Sequence, residues 1–448
     1  MSLRLKAFSI LFAGISWVSV SYAQTCDSNF LGTKTLYHAP KGAAVKIPTG
    51  YEPVFINYVG RHGARHLTKS PESSYAYRLL QQADSSQALT PTGLQLKRMV
   101  MALQKVEKGK TKSISAEGRA ELQGIAGRLY AANQPVFAGK PKVDVTITKE
   151  VRTRQSADAF VQQLQTLAPQ ADVVERGVND TTLRFYDLSP AYTQFEDKGN
   201  WTKAMVLLQQ QKHISAINQQ VAARFFKADF LKKLSTENQS DFTNDVFGFA
   251  TIVHSLAAEI KEAGYSAKEL DFSSLFTCQE LNTLAYIDQA DDYLKKGPGT
   301  NTLGLPIKIA APLLADLVKT TDAYLNGSPV KAQLHFAHAE TVSPLATLLG
   351  MEPAAVASKN IIGFNQHWQA SAIIPLSANI AWVLYKNTKG NYLIQFLLNE
   401  RPVKIIGLQP STGSFYQWIA VRKFYLNRLA QIGASINMNG RAYLESIK

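Results

Sequence analysis

The sequence is short of cysteine. Only Cys26 and Cys278 occur in 448 residues, and neither has a second cysteine at metal-ligand spacing. That excludes a cysteine-built zinc site. No HExxH pair, P-loop, GxGxxG or GxSxG is present, and no internal repeat. These absences remove the zinc-protease, nucleotide-loop, dinucleotide-fold and serine-elbow readings. Charge is sparse at 18%, whereas hydrophobic residues reach 46%. That balance excludes a disordered chain and leaves enough apolar material for one large domain or two. Beyond one N-terminal run, no stretch is apolar enough to span a bilayer.

The N-terminal run reads as a secretory signal over residues 1–23. Arg4 and Lys6 precede the apolar stretch Ala7 to Val20, and Ser21-Tyr22-Ala23 offers a small-residue cleavage site. The mature protein is therefore expected to be exported, periplasmic or secreted, and free of the membrane after cleavage. Arg4 and Lys6 are the only charges removed, so the formal net charge falls by two from +14 to +12. A balance that basic favours anionic partners. In an oxidising compartment Cys26 and Cys278 can pair or remain as two thiols, and sequence alone leaves both open.

The chain is organised around Asn57-Tyr-Val-Gly-Arg-His-Gly-Ala-Arg-His66. Val54 to Val59 before it reads as a buried strand, so the cluster sits past a strand's C-terminal end, where open α/β sheets bind ligands. Arg61 and Arg65 bracket His62. Their planar forks match phosphate oxygens, and a neutral imidazole between them can attack phosphorus. Gly60 and Gly63 would let the backbone approach a ligand. The bland alternative is a solvated basic loop.

Two further strand ends carry chemistry. Val143, Val145 and Ile147 alternate with polar residues and lead to Arg152 and Arg154, with a helix expected from near Ser156. If the segment is extended, both arginines share a face and alternation cannot separate them. Gln333 to Ala337 reads as a strand ending in His338-Ala339-Glu340, with Ser343 and Pro344 as the expected start of a helix. His335 and His338 should face opposite ways, which argues against a metal pair. Helices are also expected from Glu72 to Ala83, from Pro91 to Lys108, and after Ser115. From about 173 to 305 the texture becomes mostly helical. It ends in Lys295-Lys296 beside a Gly-Pro loop, either a phosphate-reaching pair or a solvated helix end. His66 either contacts substrate or packs beside the arginines. The runs IAWVLYKN and YLIQFLLNERPV suggest a hairpin turning at Lys389-Gly390-Asn391.

The pattern RHGxR resembles the signature of the histidine phosphatase superfamily, in its acid phosphatase and phytase branch. The resemblance implies His62 as nucleophile, Arg61 and Arg65 as phosphate clamps, and Arg152 rather than Arg154 as a third clamp. His-Ala-Glu resembles the multiple inositol polyphosphate phosphatases, as do LRFYDLSPAY and KKGPG. One departure is Leu67, where the branch often has proline. The implied fold is an α/β class with a mostly parallel sheet flanked by helices, over 24–172 and 306–448, and an inserted α-helical domain over 173–305. The implied reaction is stepwise, metal-independent dephosphorylation of inositol hexakisphosphate (phytate), with no cofactor. Glu340 would protonate the leaving alkoxide and would need a raised pKa, and a protonated His338 would offset phosphoryl charge. The substrate-binding set is Arg61, Arg65, His66, Arg152, Lys295, Lys296 and His338. A small polyanionic substrate is expected as partner, with no nucleic acid. The alternatives are a broad acid phosphatase, a bisphosphoglycerate-type phosphatase, or a non-catalytic exported anion-binding protein.

Overall fold

A computed structural model describes residue 26, residues 28–41 and residues 46–448. The expected signal segment lies outside these residues. Among the described residues eight strands form one sheet: β1 (Tyr51–Arg61), β2 (Lys142–Ile147), β3 (Asp172–Val178), β4 (Val330–Ala337), β5 (Asn379–Asn387), β6 (Tyr392–Leu398), β7 (Arg401–Pro402) and β8 (Phe415–Gln417). The order is β3-β2-β4-β1-β5-β6-β7, with β8 also on β6. The sheet is mixed. β3, β2, β4 and β1 run parallel, and β5 turns antiparallel against β1. The β5–β6 hairpin forms as expected.

The parallel half positions the site. β4 lies between β1 and β2, so three C-terminal ends open side by side. Arg61 pairs in register with Ala337, and Ile147 with Phe336. Side-chain alternation splits the sheet into two cores. Phe55 and Val59 enter one, Ile56 and Tyr58 the other.

A second body is helical. Its core draws on helices Tyr75–Ser85, Pro91–Glu107, Ile214–Phe225, Thr236–Ile252 and the first half of Cys278–Lys295. So helices early in the chain share the core of the body expected from 173–305. The stretch from 173 also begins in β3, paired to β2, rather than in a helix. Its sequence, Asp-Val-Val-Glu-Arg-Gly-Val, lacks an alternating pattern and lies at a largely exposed edge, so it carries little strand signal.

Capping rules place several helix starts well. Thr90 accepts from Gly93 N, and Ser115 from Gly118 N. The helix expected from Glu72 begins at Tyr75, capped by Ser74. Two starts come earlier than expected. One helix runs Val151–Leu167, so Arg152 lies in its first turn. Another runs Ala339–Leu349, with His338 at its N-cap and Pro344 inside. Pro344 is the sixth residue of this helix, past the four donors that lack partners, so the i→i−4 bond to Glu340 O is not made.

Cys26 and Cys278 are joined as a disulfide. It fastens the N-terminal strap, which includes the kinked segment Ser28–Lys34, to the Cys278–Lys295 helix. The strap then crosses to the sheet, where Thr35 O accepts from Leu376 N at 2.9 Å. Among the described residues no helix is long and apolar enough to cross a membrane.

Candidate active site

β1 delivers Arg61 buried at its last position, and the loop that follows places His62, Gly63 and Ala64 in the interior. His62 Nδ1 lies 2.9 Å from Gly63 O. A carbonyl only accepts, so Nδ1 carries the proton and Nε2 keeps its lone pair. Burial, then Arg61 and Arg65, push the His62 pKa well below the usual imidazole range. Both causes favour the neutral ring, the form that can act as a nucleophile.

Arg61 is held from two sides. Its Nη1 donates to Thr33 O at 2.7 Å and to Ile374 O at 2.6 Å. Arg65 Nη1 donates to His66 O at 2.7 Å. Burial, then Arg61 and Arg152, lower the Arg65 pKa to about 10. The Nε atoms of Arg61, Arg65 and Arg152 are buried and have no hydrogen-bond partner among the described residues. Buried charged donors are rarely left so. The oxygens of a phosphate would satisfy them.

Helical backbone separates the rival arginines. Arg152 Nη2 reaches His338 Nδ1 at 3.2 Å, and its Nη1 meets Glu150 at 2.9 Å. Arg154 turns outward to an ion pair with Glu175. A shared face required an extended segment, and the helix rotates them apart. Glu150 also pairs with Arg184 at 3.0 Å, so a second arginine stands behind Arg152.

His338 accepts from Arg152 at Nδ1, so Nε2 carries its proton and donates to Thr148 Oγ1 at 3.0 Å. Thr148 bonds in turn to Thr153 Oγ1 at 2.9 Å. Burial, then Arg152, lower the His338 pKa to about 3. This corrects the expectation of a protonated His338: beside an arginine donor the imidazole is neutral. Its ring centroid lies 5.6 Å from that of His62. His335 faces the other way, toward Tyr58 O and Asp316, as alternation requires. Among the described residues no group of His, Cys, Asp or Glu is placed to hold a metal ion.

Glu340 sits in the first helical turn after β4. Lys296 Nζ lies 3.0 Å from its Oε1 and 2.8 Å from Asp292 Oδ1. Burial favours a neutral Glu340 carboxyl, but Lys296 and then His338 outweigh it and hold the pKa far below the usual range. The expectation of a raised pKa is thus reversed in the unliganded site. Burial opposes charge on Lys296, and Asp292 with Glu340 overcome it and push that pKa well up.

The two lysines part company. Lys296 points into the site. Lys295 pairs with Asp291 at 2.7 Å and lies 4.0 Å over the Trp201 ring. His66 is also elsewhere than a substrate contact would need. It is 2% exposed and sits between Glu107 at 3.3 Å and Glu259 at 3.8 Å, joining the loop to the helical body.

The model described as Histidine phosphatase superfamily (branch 2) matches residues 54–399. The chain belongs to this superfamily. It is a phosphoric monoester hydrolase. This histidine phosphatase is 25% identical over 413 residues to multiple inositol polyphosphate phosphatase 1 of Gallus gallus, across 86% of its own chain and 87% of that protein. Its fold matches Bifidobacterium longum multiple inositol polyphosphate phosphatase, solved with inositol hexasulfate, at TM-score 0.78 and 19% identity, over 91% and 99% of the two chains. The phytase from D. castellii matches at TM-score 0.66 and 14% identity, over 94% and 92%.

The phosphatase has supports that local motifs did not reveal. Glu121 accepts from Ala64 N at 2.9 Å, Tyr37 N at 2.7 Å and Ser377 Oγ at 2.7 Å, pinning the loop after His62. Glu121 belongs to the Ala116–Ala132 helix, the one expected after Ser115. The room at Gly63 is used by protein: a Cβ there would lie 2.6 Å from Gly118 O. A Cβ at Gly118 would lie 2.1 Å from Ala64 O. A Gly118→Ala variant must push this helix off the loop. We expect a loss of about 1–3 kcal/mol of stability, typical of overpacking. Turnover should fall beyond what unfolding explains. Thermal unfolding and kcat measured well below the melting transition check this, and an unshifted Tm would contradict the contact.

Proposed function

We propose that this phosphatase removes phosphates stepwise from phytate and lower inositol polyphosphates through a phospho-histidine on His62. The observation that carries the reading is the free Nε2 lone pair of a neutral His62 amid three arginines whose Nε donors are buried and unpartnered among the described residues. The basic net charge and the curated relative from Gallus gallus support the substrate class.

His62 Nε2 attacks phosphorus in line as the P–O ester bond breaks. Arg61, Arg65 and Arg152 hold the non-bridging oxygens, and neutral His338 is kept in place by Arg152 and Thr148. The leaving alkoxide takes a proton from Glu340. Water then attacks the phospho-histidine, gives its proton to the Glu340 carboxylate and releases phosphate, restoring His62.

Glu340 is ionised before substrate arrives, so its proton must come with binding. A phosphate group beside Lys296 competes for the ammonium and adds negative charge near Glu340. Both changes raise the carboxyl's proton affinity. Lys296 is thus a substrate contact and the switch of the acid. Lys295, paired to Asp291 and stacked on Trp201, is left out of the phosphate-binding set. The disulfide fits an oxidising, exported location.

Phosphate release from phytate by the purified mature protein, with EDTA present, tests the reading. We expect turnover within twofold of the EDTA-free rate. Release from 4-nitrophenyl phosphate but none from phytate would discard the substrate class. A loss of all release with EDTA would discard the metal-free mechanism.

A further inference from the structure

The strap between the disulfide and the sheet brings one more cation to the site. Lys34 follows Thr33, whose carbonyl holds Arg61. Lys34 lines a cleft of about 570 Å³ between the two bodies. Arg65 and Thr68 line it from the catalytic loop, Gln209 and Asn244 from the helical side. The cleft therefore meets the phosphate site at Arg65, and its polar groups share the lining with apolar ones such as Met205 and Phe247.

The charge balance at Lys34 is unusual. Its ammonium makes one hydrogen bond among the described residues, to Thr33 Oγ1 at 3.1 Å. No carboxylate among them lies within ion-pair distance. Burial disfavours its charge most, Asp288 supports it next, and Arg65 and Arg61 then oppose it ahead of the support from Asp292. Asp288 shares the cleft, and burial, then Asp292, push its carboxyl above the usual range. Asp291, the other acid there, is neutralised by Lys295. A cation so placed, without a close partner and next to phosphate-clamping arginines, fits a ligand carrying more than one phosphate.

We propose that Lys34 binds a second phosphate of the substrate, one not being cleaved, and so favours polyphosphorylated rings over monoesters. This rests on the inositol polyphosphate reading above. The strap's disulfide holds Lys34 over the cleft while Thr33 O holds Arg61, so one segment serves both the reacting phosphate and its neighbour.

The test compares Lys34→Met and Lys34→Arg with the wild type on phytate and on 4-nitrophenyl phosphate. Lys34→Met should lose roughly tenfold in kcat/KM on phytate, about one charge-assisted hydrogen bond. The loss should be carried by KM and should exceed the loss on the aryl ester at least fivefold. Lys34→Arg should recover most of it. Equal losses on both substrates would mean that Lys34 acts only through the strap's hold on Arg61, and no loss on either would mean no contact; both overturn the proposal. A second readout separates it from the substrate reading. Inositol hexasulfate should inhibit aryl phosphate turnover with a Ki raised about tenfold in Lys34→Met, whether or not phytate is hydrolysed. Inhibition by inorganic phosphate should change much less. An unchanged hexasulfate Ki overturns the second-phosphate site even if phytate proves to be the substrate.

Discussion

His62→Ala is expected to lower kcat on phytate and on 4-nitrophenyl phosphate alike, on the order of 10⁴-fold. The loss should not depend on the leaving group, because the variant has no atom to receive the phosphoryl group. Folding should survive. The imidazole makes one polar contact, with its neighbour's carbonyl, and the loop is held by Glu121 and Ser156 through other atoms. Quenching wild-type enzyme during turnover should trap a phosphoenzyme that is stable in alkali and lost in acid, as a phosphoramidate is. The variant should trap none. A variant retaining a tenth of the activity, with the fold intact, would sink the nucleophile assignment.

The second large effect belongs to Glu340. Glu340→Gln should lower kcat on phytate by roughly 10²–10⁴-fold, the usual contribution of a general acid. Phosphoenzyme formation from 4-nitrophenyl phosphate, read as the nitrophenolate burst, should slow far less, since nitrophenolate departs without a proton, whereas hydrolysis of the phosphoenzyme loses its base with either substrate. A burst slowed as much as phosphoenzyme formation from phytate would mean that Glu340 is structural. Its pH behaviour follows from the ion pair. Lys296 is the foremost cause holding the carboxyl below its usual range. Removing that cation in Lys296→Met leaves burial dominant, and the pKa rises. An acid with a higher pKa keeps its proton to higher pH, so the alkaline limb of kcat/KM should move upward. KM should rise at the same time because a phosphate contact is lost. An alkaline limb that stays in place would separate Lys296 from the acid.

The parts of the site that sequence made legible are those written locally. RHGxR, the arginine after β2 and His-Ala-Glu each sit within a few residues of a strand whose alternation or apolar run is plain. What stayed illegible depends on contacts between distant segments. Alternation could not tell Arg152 from Arg154, and only the motif resemblance favoured Arg152, because the physical choice turned on where a helix starts and no side-chain cap marks Val151. The sign of the Glu340 shift was misread because the cation responsible arrives from the end of another helix. His66 looked like part of the basic loop, yet two glutamates from the helical body claim it. Thr33, Lys34 and Glu121 carry no motif at all. Only the fold shows that a strap and a helix buttress the loop.

The sheet order has a consequence for how the molecule comes into being. β1 and β2 emerge early in synthesis, but the strand that lies between them, β4, comes only at Val330–Ala337. Until then two largely buried strands have open edges and no common neighbour, the condition in which chains pair wrongly or aggregate. The helical body can gather its core beforehand, and the α/β body cannot. A chain threaded N-terminus first into another compartment would hold its nucleophile for most of the journey with neither the histidine nor the carboxylate that complete the site. Protection of the half-made sheet, by a chaperone or by delayed release, would then govern the yield of active enzyme more than the final stability does.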